Sequence, residues 1–140
     1  MQIKQIEIIL NPKPQGFHLI TNEIITQLDF SLFKIGLCHI FIKHTSASLA
    51  LNENADPSVR DDLSLFFNSI SNSISNKFTH TDEGPDDMPA HINSILIGNS
   101  LTIPIKEEKL AFGTWQGIYL CEHRTQFLQR KIIITCFGSN

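Results

Sequence analysis

Six short segments of the chain alternate between hydrophobic and polar residues, and this pattern predicts β-strands. The segments are residues 3–10, 37–45, 101–105, 110–114, 118–123 and 131–137. In the second segment, Cys38, Ile40 and Ile42 share one face of the strand, and His44 follows in the same register. We therefore expect His44 to lie at the end of its strand, with its side chain on the same face as Cys38, Ile40 and Ile42.

Two segments in the first half of the chain have helical signals. Thr21 is expected to cap a short helix that extends to about residue 28. Asp56 and Pro57 suit the N-cap and the first position of a second helix. Apolar residues then recur at spacings of three and four up to residue 70, which predicts an amphipathic helix.

A third helix is expected to start near Asp87 and to end at Gly98. Its buried side would carry Ile92, Ile95 and Leu96. His91 would then lie close to the positive end of the helix dipole, which disfavours a charged imidazole. We expect a neutral ring there, able to ligate a metal or accept a proton.

The predicted strands outnumber the helices, and the last four strands follow one another along the chain. This order favours an α+β fold with a largely antiparallel sheet. The 140 residues, 41% of them hydrophobic and 18% charged, are typical of a single globular domain, and we take residues 1–140 as one domain.

Charge and composition exclude several functional classes. The net charge of −3 gives no basic surface for nucleic acid, so we expect no nucleic-acid partner. No run of 18 apolar residues is present, so we expect no membrane span. Three cysteines lie singly in apolar segments, which is typical of reduced core thiols and favours a cytoplasmic protein.

The segment His80–His91, HTDEGPDDMPAH, is the strongest candidate for chemistry. It holds two histidines and four acidic residues around a Gly84-Pro85 turn that can bring its ends together. Carboxylates such as Glu83 suit Mg²⁺, whereas imidazoles suit Zn²⁺ or another transition ion. The alternative interpretation is a solvated acidic loop.

Three further polar clusters interrupt apolar surroundings: HTSAS at residues 44–48, NENADP at 52–57 and CEHR at 121–124. Buried polar groups are costly unless they are satisfied, so these clusters are candidate site residues. Strand alternation turns either Glu122 or His123 inward, although surface ion pairs would explain the same residues. Trp115 could stack on a ligand or fill the core.

The motifs HTSASLALNENADPSVRDDL, HTDEGPDDMPAHI and GTWQGIYLCEHR, in this order and spacing, resemble the YjbQ family, also called the secondary thiamine-phosphate synthase family. The resemblance runs almost end to end. It implies a compact α+β domain with a sandwich-like arrangement of mostly antiparallel sheets and about three helices. It also implies a homotrimer with a polar pocket near the subunit interfaces, and thiamine-phosphate synthase activity. Asn93 departs from the family, in which lysine often occupies this position.

These observations lead to the hypothesis of a metal-assisted enzyme that acts on a phosphorylated or pyrophosphorylated small molecule. Thiamine phosphate formation is its main or side activity, with Mg²⁺ or Zn²⁺ as the cofactor. The expected metal ligands are His80, His91 and His123, and the expected catalytic residues are His44, Glu83 and Asp87. The expected substrate-binding residues are Thr45, Ser46, Asn52, Asn54, Trp115, Gln116, Glu122 and Arg124. The alternatives are a metal-dependent hydrolase and a non-catalytic metabolite- or metal-binding trimer.

Overall fold

Two antiparallel sheets and three helices make up residues 1–140, which the computed structural model describes in full. The strands are β1 (Gln2–Leu10), β2 (Gly16–Leu19), β3 (Ile35–Ile42), β4 (Ala47–Glu53), β5 (Ser100–Lys106), β6 (Lys109–Leu110), β7 (Gln116–Glu122) and β8 (Arg130–Ser139). The helices are α1 (Thr21–Ile25), α2 (Pro57–Ser71) and α3 (Asp87–Ile97), and a 3-10 turn covers Ser75–Lys77.

The large sheet has the strand order β1-β8-β3-β5-β6, and the small sheet has the order β2-β7-β4. The main core lies between them, because alternate residues of β1, β3, β5 and β8 face residues such as Leu49, Ile118 and Leu120 of the small sheet. Helices α2 and α3 cover the other face of the small sheet through a cluster around Phe17 and Tyr119. The α+β sandwich with three helices is therefore confirmed.

The strand β7 is buried on both faces because it is the central strand of the middle layer. Ile118 and Leu120 face the large sheet, whereas Tyr119 and Cys121 face the helices. The expectation that only one of two neighbouring polar residues points inward is therefore wrong. Glu122 and His123 are both buried, on opposite faces.

Helix boundaries agree with the sequence where capping chemistry is local. Asp56 caps α2 by accepting a hydrogen bond from Ser58 N, and Pro57 is its first residue. Helix α3 starts at Asp87 and stops before Gly98. Thr21 is not a cap, however, because its Oγ1 accepts a hydrogen bond from Ile118 N in the small sheet, and α1 ends at Ile25.

Three further expectations are corrected by tertiary contacts. Strand β3 ends at Ile42, so His44 lies just beyond the strand. Residues 111–114 form a loop, because only Lys109 and Leu110 pair with the edge of β5. Helix α3 leaves Ile95 and Leu96 exposed and turns Asp87, Ala90, Asn93 and Ser94 inward.

No helix of the protein is both long and apolar enough to span a membrane.

Candidate functional site

A loop and the first turn of α3 present the acidic and histidine residues of the candidate site. Gly84 has φ of 104°, a conformation that favours glycine, and it reverses the chain between His80 and α3. Asp86 occupies the N-cap position of α3 but its side chain makes no capping hydrogen bond. Its Oδ2 instead accepts hydrogen bonds from Arg124 Nε and from the backbone of Thr125, both at 2.9 Å. The loop is thereby fixed to the end of β7.

The carboxylate of Asp87 is the centre of the site. Its Oδ2 accepts hydrogen bonds from His80 Nε2 at 2.8 Å and from His91 Nε2 at 3.1 Å. Its Oδ1 accepts one from Arg124 Nη1 at 2.5 Å. Burial raises the pKa of Asp87, but hydrogen bonding and the neighbouring positive charges outweigh burial and hold the pKa below its usual value. A buried carboxylate thus stays charged where two imidazoles converge.

His91 is fixed by two oxygen acceptors. It lies one helical turn after Asp87, and its Nδ1 lies 2.8 Å from the carbonyl oxygen of Thr45. The ring makes both hydrogen bonds only when each nitrogen carries a proton, and a ring with one proton makes one of them. A metal ion on Nε2 would leave the Thr45 bond intact, which is the usual support for a ligating histidine.

Arg124 holds this arrangement in place. Its guanidinium contacts Asp86 and Asp87 and donates to the carbonyl oxygen of Glu83 at 2.9 Å, and its side chain is 9% exposed. All three nitrogens are thus engaged by the protein. This geometry favours a role in positioning the carboxylates over direct contact with an anionic substrate.

Four residues form the histidine–carboxylate quartet: His80, Glu83, Asp87 and His91. One ligand atom from each lies within 4.8 Å of the others. Two carboxylates this close repel each other, and a cation between them relieves the repulsion. The donor set fits a divalent ion, and its two imidazoles suit Zn²⁺ or another transition ion better than Mg²⁺, which takes oxygen ligands.

An open cleft of about 460 Å³ begins at His91 and continues past His44, Thr45 and Asn99. His44 Nε2 accepts a hydrogen bond from the backbone N–H of Lys131 at 2.9 Å. Burial, together with the nearby charge of Arg130, lowers the pKa of His44 and favours the neutral ring. That ring carries its proton on Nδ1, so it can donate to a ligand. The ring can act as a base only after its Nε2 loses the hydrogen bond from the backbone N–H of Lys131.

His123 does not join the quartet, contrary to the expected set of three histidine ligands. Its Nε2 lies 2.7 Å from Ser48 Oγ, and the ring lines a different cleft, between α2 and α3. Burial, reinforced by the charge of Arg130, lowers its pKa to about 4. The physical reason for the error is that β7 turns this side chain toward the helices, away from the strand end beside His44.

Glu122 and Ser46 are held in a buried ion-pair network and face no cleft. Glu122 accepts hydrogen bonds from Arg130 Nε at 2.7 Å and Nη2 at 2.6 Å, and Ser46 Oγ accepts one from Nη2 at 3.0 Å. Sequence reasoning missed Arg130. The signal was present, because Arg130 shares the inward register of Ile132 and Ile134 and therefore needs a buried acid.

Four expected substrate-binding residues lie at the other end of the small sheet: Asn52, Asn54, Trp115 and Gln116. Asn54 donates to the carbonyl oxygens of Thr114 and Gln116, so it braces the loop before β7. Trp115 is 66% exposed and neither fills the core nor stacks on another ring. Asn52 lies six positions after Ser46 along an extended chain, which is roughly 20 Å. Within one chain these residues do not reach the quartet.

Comparison with known proteins gives consistent matches along the whole chain. A family model described as "UPF0047 protein YjbQ-like" matches residues 4–139. The UPF0047 protein YjbQ of Escherichia coli O157:H7 is 47% identical over 135 residues, covering 96% of this chain and 97% of the relative. A UPF0047 protein of Synechocystis sp. is 41% identical over 131 residues, covering 94% of this chain and 89% of the relative.

Solved structures share the fold. The crystal structure of an uncharacterised YjbQ/UPF0047 protein from Clostridium acetobutylicum has a TM-score of 0.82 at 33% identity, covering 94% of this chain and 99% of that one. A hypothetical protein from Aeropyrum pernix K1 has a TM-score of 0.85 at 23% identity, covering 97% of this chain and 99% of that one.

Proposed function

This chain belongs to the YjbQ-like UPF0047 family, and from that premise we propose that it is a metal-assisted enzyme acting on a phosphorylated or pyrophosphorylated small molecule. The observation that carries the proposal is the convergence of His80 Nε2 and His91 Nε2 on Asp87 Oδ2, at 2.8 and 3.1 Å, with Glu83 alongside. Three protein ligands beside an open cleft are the usual arrangement of a catalytic metal site.

We assign His80, Asp87 and His91 as the ligands. A divalent ion there would neutralise charge that develops on a phosphate or pyrophosphate leaving group. Glu83 is exposed and its side chain interacts with that of Asp87, so we assign it as the group that takes up or returns a proton. Arg124 keeps Asp86 and Asp87 ionised and in place.

The cleft beside His91 is the proposed site of the phosphate group. His44 offers its Nδ1–H, Thr45 offers a hydroxyl group and Asn99 offers an amide, and all three line the cleft. These neutral groups can donate hydrogen bonds to phosphate oxygens without forming an ion pair with them. The negative charge of the phosphate would then be stabilised by the metal and the hydrogen-bond donors together. Substrate specificity would depend on what else lines this cleft in the assembled protein.

Formation of thiamine phosphate from its pyrimidine pyrophosphate and thiazole phosphate precursors is the candidate reaction to test first. The assay should compare wild type with His91→Ala, with Zn²⁺, Mn²⁺ or Mg²⁺ added in turn. The matched control is His18→Ala, because His18 hydrogen-bonds to Pro14 at the far edge of the small sheet. We expect turnover that needs a divalent ion, is lost in His91→Ala and is kept in His18→Ala.

Turnover that is independent of a divalent ion, or unchanged in His91→Ala, would contradict the proposal. A kcat/KM far below about 10⁴ M⁻¹s⁻¹ would mark thiamine phosphate formation as a side activity. Ion-dependent hydrolysis of a simple phosphate ester without synthase activity would favour the hydrolase. Tight retention of a precursor without turnover of any compound would favour a binding module.

We also propose that the chain forms a homotrimer in the cytoplasm. The support for assembly is the pair Ile95 and Leu96, which are 83% and 56% exposed on α3, with Ile95 at the edge of the cleft that His91 lines. A subunit packed on this face would complete the cleft. Light scattering should give three times the 15.8 kDa chain mass for wild type and a smaller species for Ile95→Asp. A monomeric wild type would contradict the trimer.

A further inference from the structure

A second cleft lies between α2 and α3. It measures about 290 Å³ and is lined mainly by polar side chains: Gln15, Asn68, Asn72, Asp86, Asn93 and His123. Asn93 follows His91 by two residues, which is about 200° around a helix, so this cleft and the quartet lie on opposite sides of α3. No side chain of this cleft is a ligand in the proposed metal chemistry, although Asp86 is joined to Asp87 through Arg124.

The amide of Asn93 is the observation that indicates a ligand. This side chain lines the cleft, its residue is only 2% exposed, and its Oδ1 has no hydrogen-bond partner. A buried oxygen without a donor is unfavourable, and native proteins contain few of them. A ligand that donates a hydrogen bond to Asn93 would satisfy this atom.

Two neighbouring groups define what such a ligand must carry. Asp86 Oδ2 accepts from Arg124 and Thr125, whereas its Oδ1 accepts from no other residue. His123 also lines the cleft, and its Nε2 is already paired with Ser48 Oγ at 2.7 Å. The lining contains no lysine or arginine, and the nearby Arg124 is already engaged by Asp86 and Asp87, so the cleft offers no free cation to a phosphate or carboxylate. The unused atoms at Asn93 and Asp86 are both acceptors, and they therefore match a ligand that donates.

We propose that the cleft between α2 and α3 is a binding site for the amino group of a small primary amine, which donates to Asn93 and Asp86. A protonated amine supplies three N–H donors and a positive charge to two oxygen acceptors, one of them a carboxylate. The site would take a compound of modest size, because the cleft measures about 290 Å³ and no large hydrophobic side chain lines it to hold a long hydrocarbon chain.

Ethanolamine is a suitable probe, since it is protonated at neutral pH and has only a short polar tail. Titration would be followed by NMR through the side-chain amide signal of Asn93 and the ring signals of His123, in full-length protein without added metal. Ethylene glycol tests whether the amine is needed, and inorganic phosphate tests whether the site takes anions. We expect saturable shifts at both residues with ethanolamine only.

Asn93→Leu removes the acceptor while keeping a similar volume, and it should weaken ethanolamine binding about tenfold or more. Asn93→Asp adds a negative charge, opposite to that of the protonated amine, and should strengthen ethanolamine binding. This second variant keeps the test decisive if the leucine variant does not fold. The matched control is Asn22→Leu, an exposed position on α1, which should leave binding unchanged.

Equal shifts with ethylene glycol, binding of phosphate at the same residues, or an unaltered affinity in both Asn93 variants would each overturn the proposal. None of these outcomes involves the quartet or turnover, so failure here is distinguishable from failure of the proposed enzyme function. Binding confined to Asn93 and His123 in wild type, and lost in Asn93→Leu, would establish the site.

Discussion

Replacing Arg124 by alanine tests whether this residue positions the carboxylates or binds an anionic substrate. In the structure its guanidinium bridges Asp86 and Asp87 and reaches the carbonyl oxygen of Glu83. The substitution would leave Asp87, whose side chain is 1% exposed, without its one permanently charged cationic partner. A residue that merely contacted substrate from the wall of a cleft would have no such effect on the free protein.

The expected loss of stability follows from the burial of both partners. Breaking a buried ion pair by removing one side costs about 3–5 kcal/mol, because the remaining charge is uncompensated. Arg124 retains 9% exposure and the pair lies close to the surface, so we expect the lower end, about 3 kcal/mol. Added Zn²⁺ should recover part of this loss, since an ion in the quartet would neutralise Asp87.

The assay is urea-induced unfolding of wild type and variant, first with a chelator and then with Zn²⁺. The control variant is Lys43→Ala, which removes a surface ion pair with Glu7 whose side chains are 42% and 45% exposed. That control should leave the unfolding free energy unchanged within error. If Arg124→Ala were as stable as Lys43→Ala, the positioning role would be refuted and a direct substrate contact would be favoured.

Three further predictions concern the buried parts of the small sheet. Glu122→Gln should lower the unfolding free energy by about 3 kcal/mol, because it leaves Arg130 buried without its acid; an unchanged urea midpoint would contradict this. The pKa of His123, about 4 in the fold against 6.5 for the free side chain, means that the unfolded chain takes up the proton first as pH falls. Stability should therefore drop by about 3 kcal/mol between pH 6.5 and 4 through this group, and this component should vanish in His123→Gln. Gly117→Ala would place a Cβ 2.6 Å from Leu19 and should cost about 1–3 kcal/mol, whereas Gly113→Ala meets only the end of a flexible side chain and should be neutral; equal thermal midpoints would contradict the packing.

Local chemistry explains what the sequence predicts well. Asp56 and Pro57 define a helix start through backbone geometry alone, and α2 begins there. The members of the quartet fall within twelve residues, so a single turn at Gly84 and one helical turn bring them together. No long-range contact was needed to identify His80 and His91 as partners.

Long-range contacts explain what the sequence predicts poorly. His123 follows β7, and only the burial of β7 between a sheet and two helices decides which cleft the ring faces. The buried ion pair of Arg130 can be predicted only once Glu122 is known to face the same core. Helix α3 turns Ser94 inward, where it donates to the carbonyl oxygen of Ala47, and leaves Leu96 outside.

Calorimetric titration of Zn²⁺ into chelator-treated protein tests the central assignment most directly. We expect one ion per chain in wild type, loss of that binding in both His80→Ala and Asp87→Asn, and undiminished binding in His123→Ala. Binding that disappears in His123→Ala but survives in the other two variants, or no binding by a folded wild type, would contradict the quartet as the metal centre.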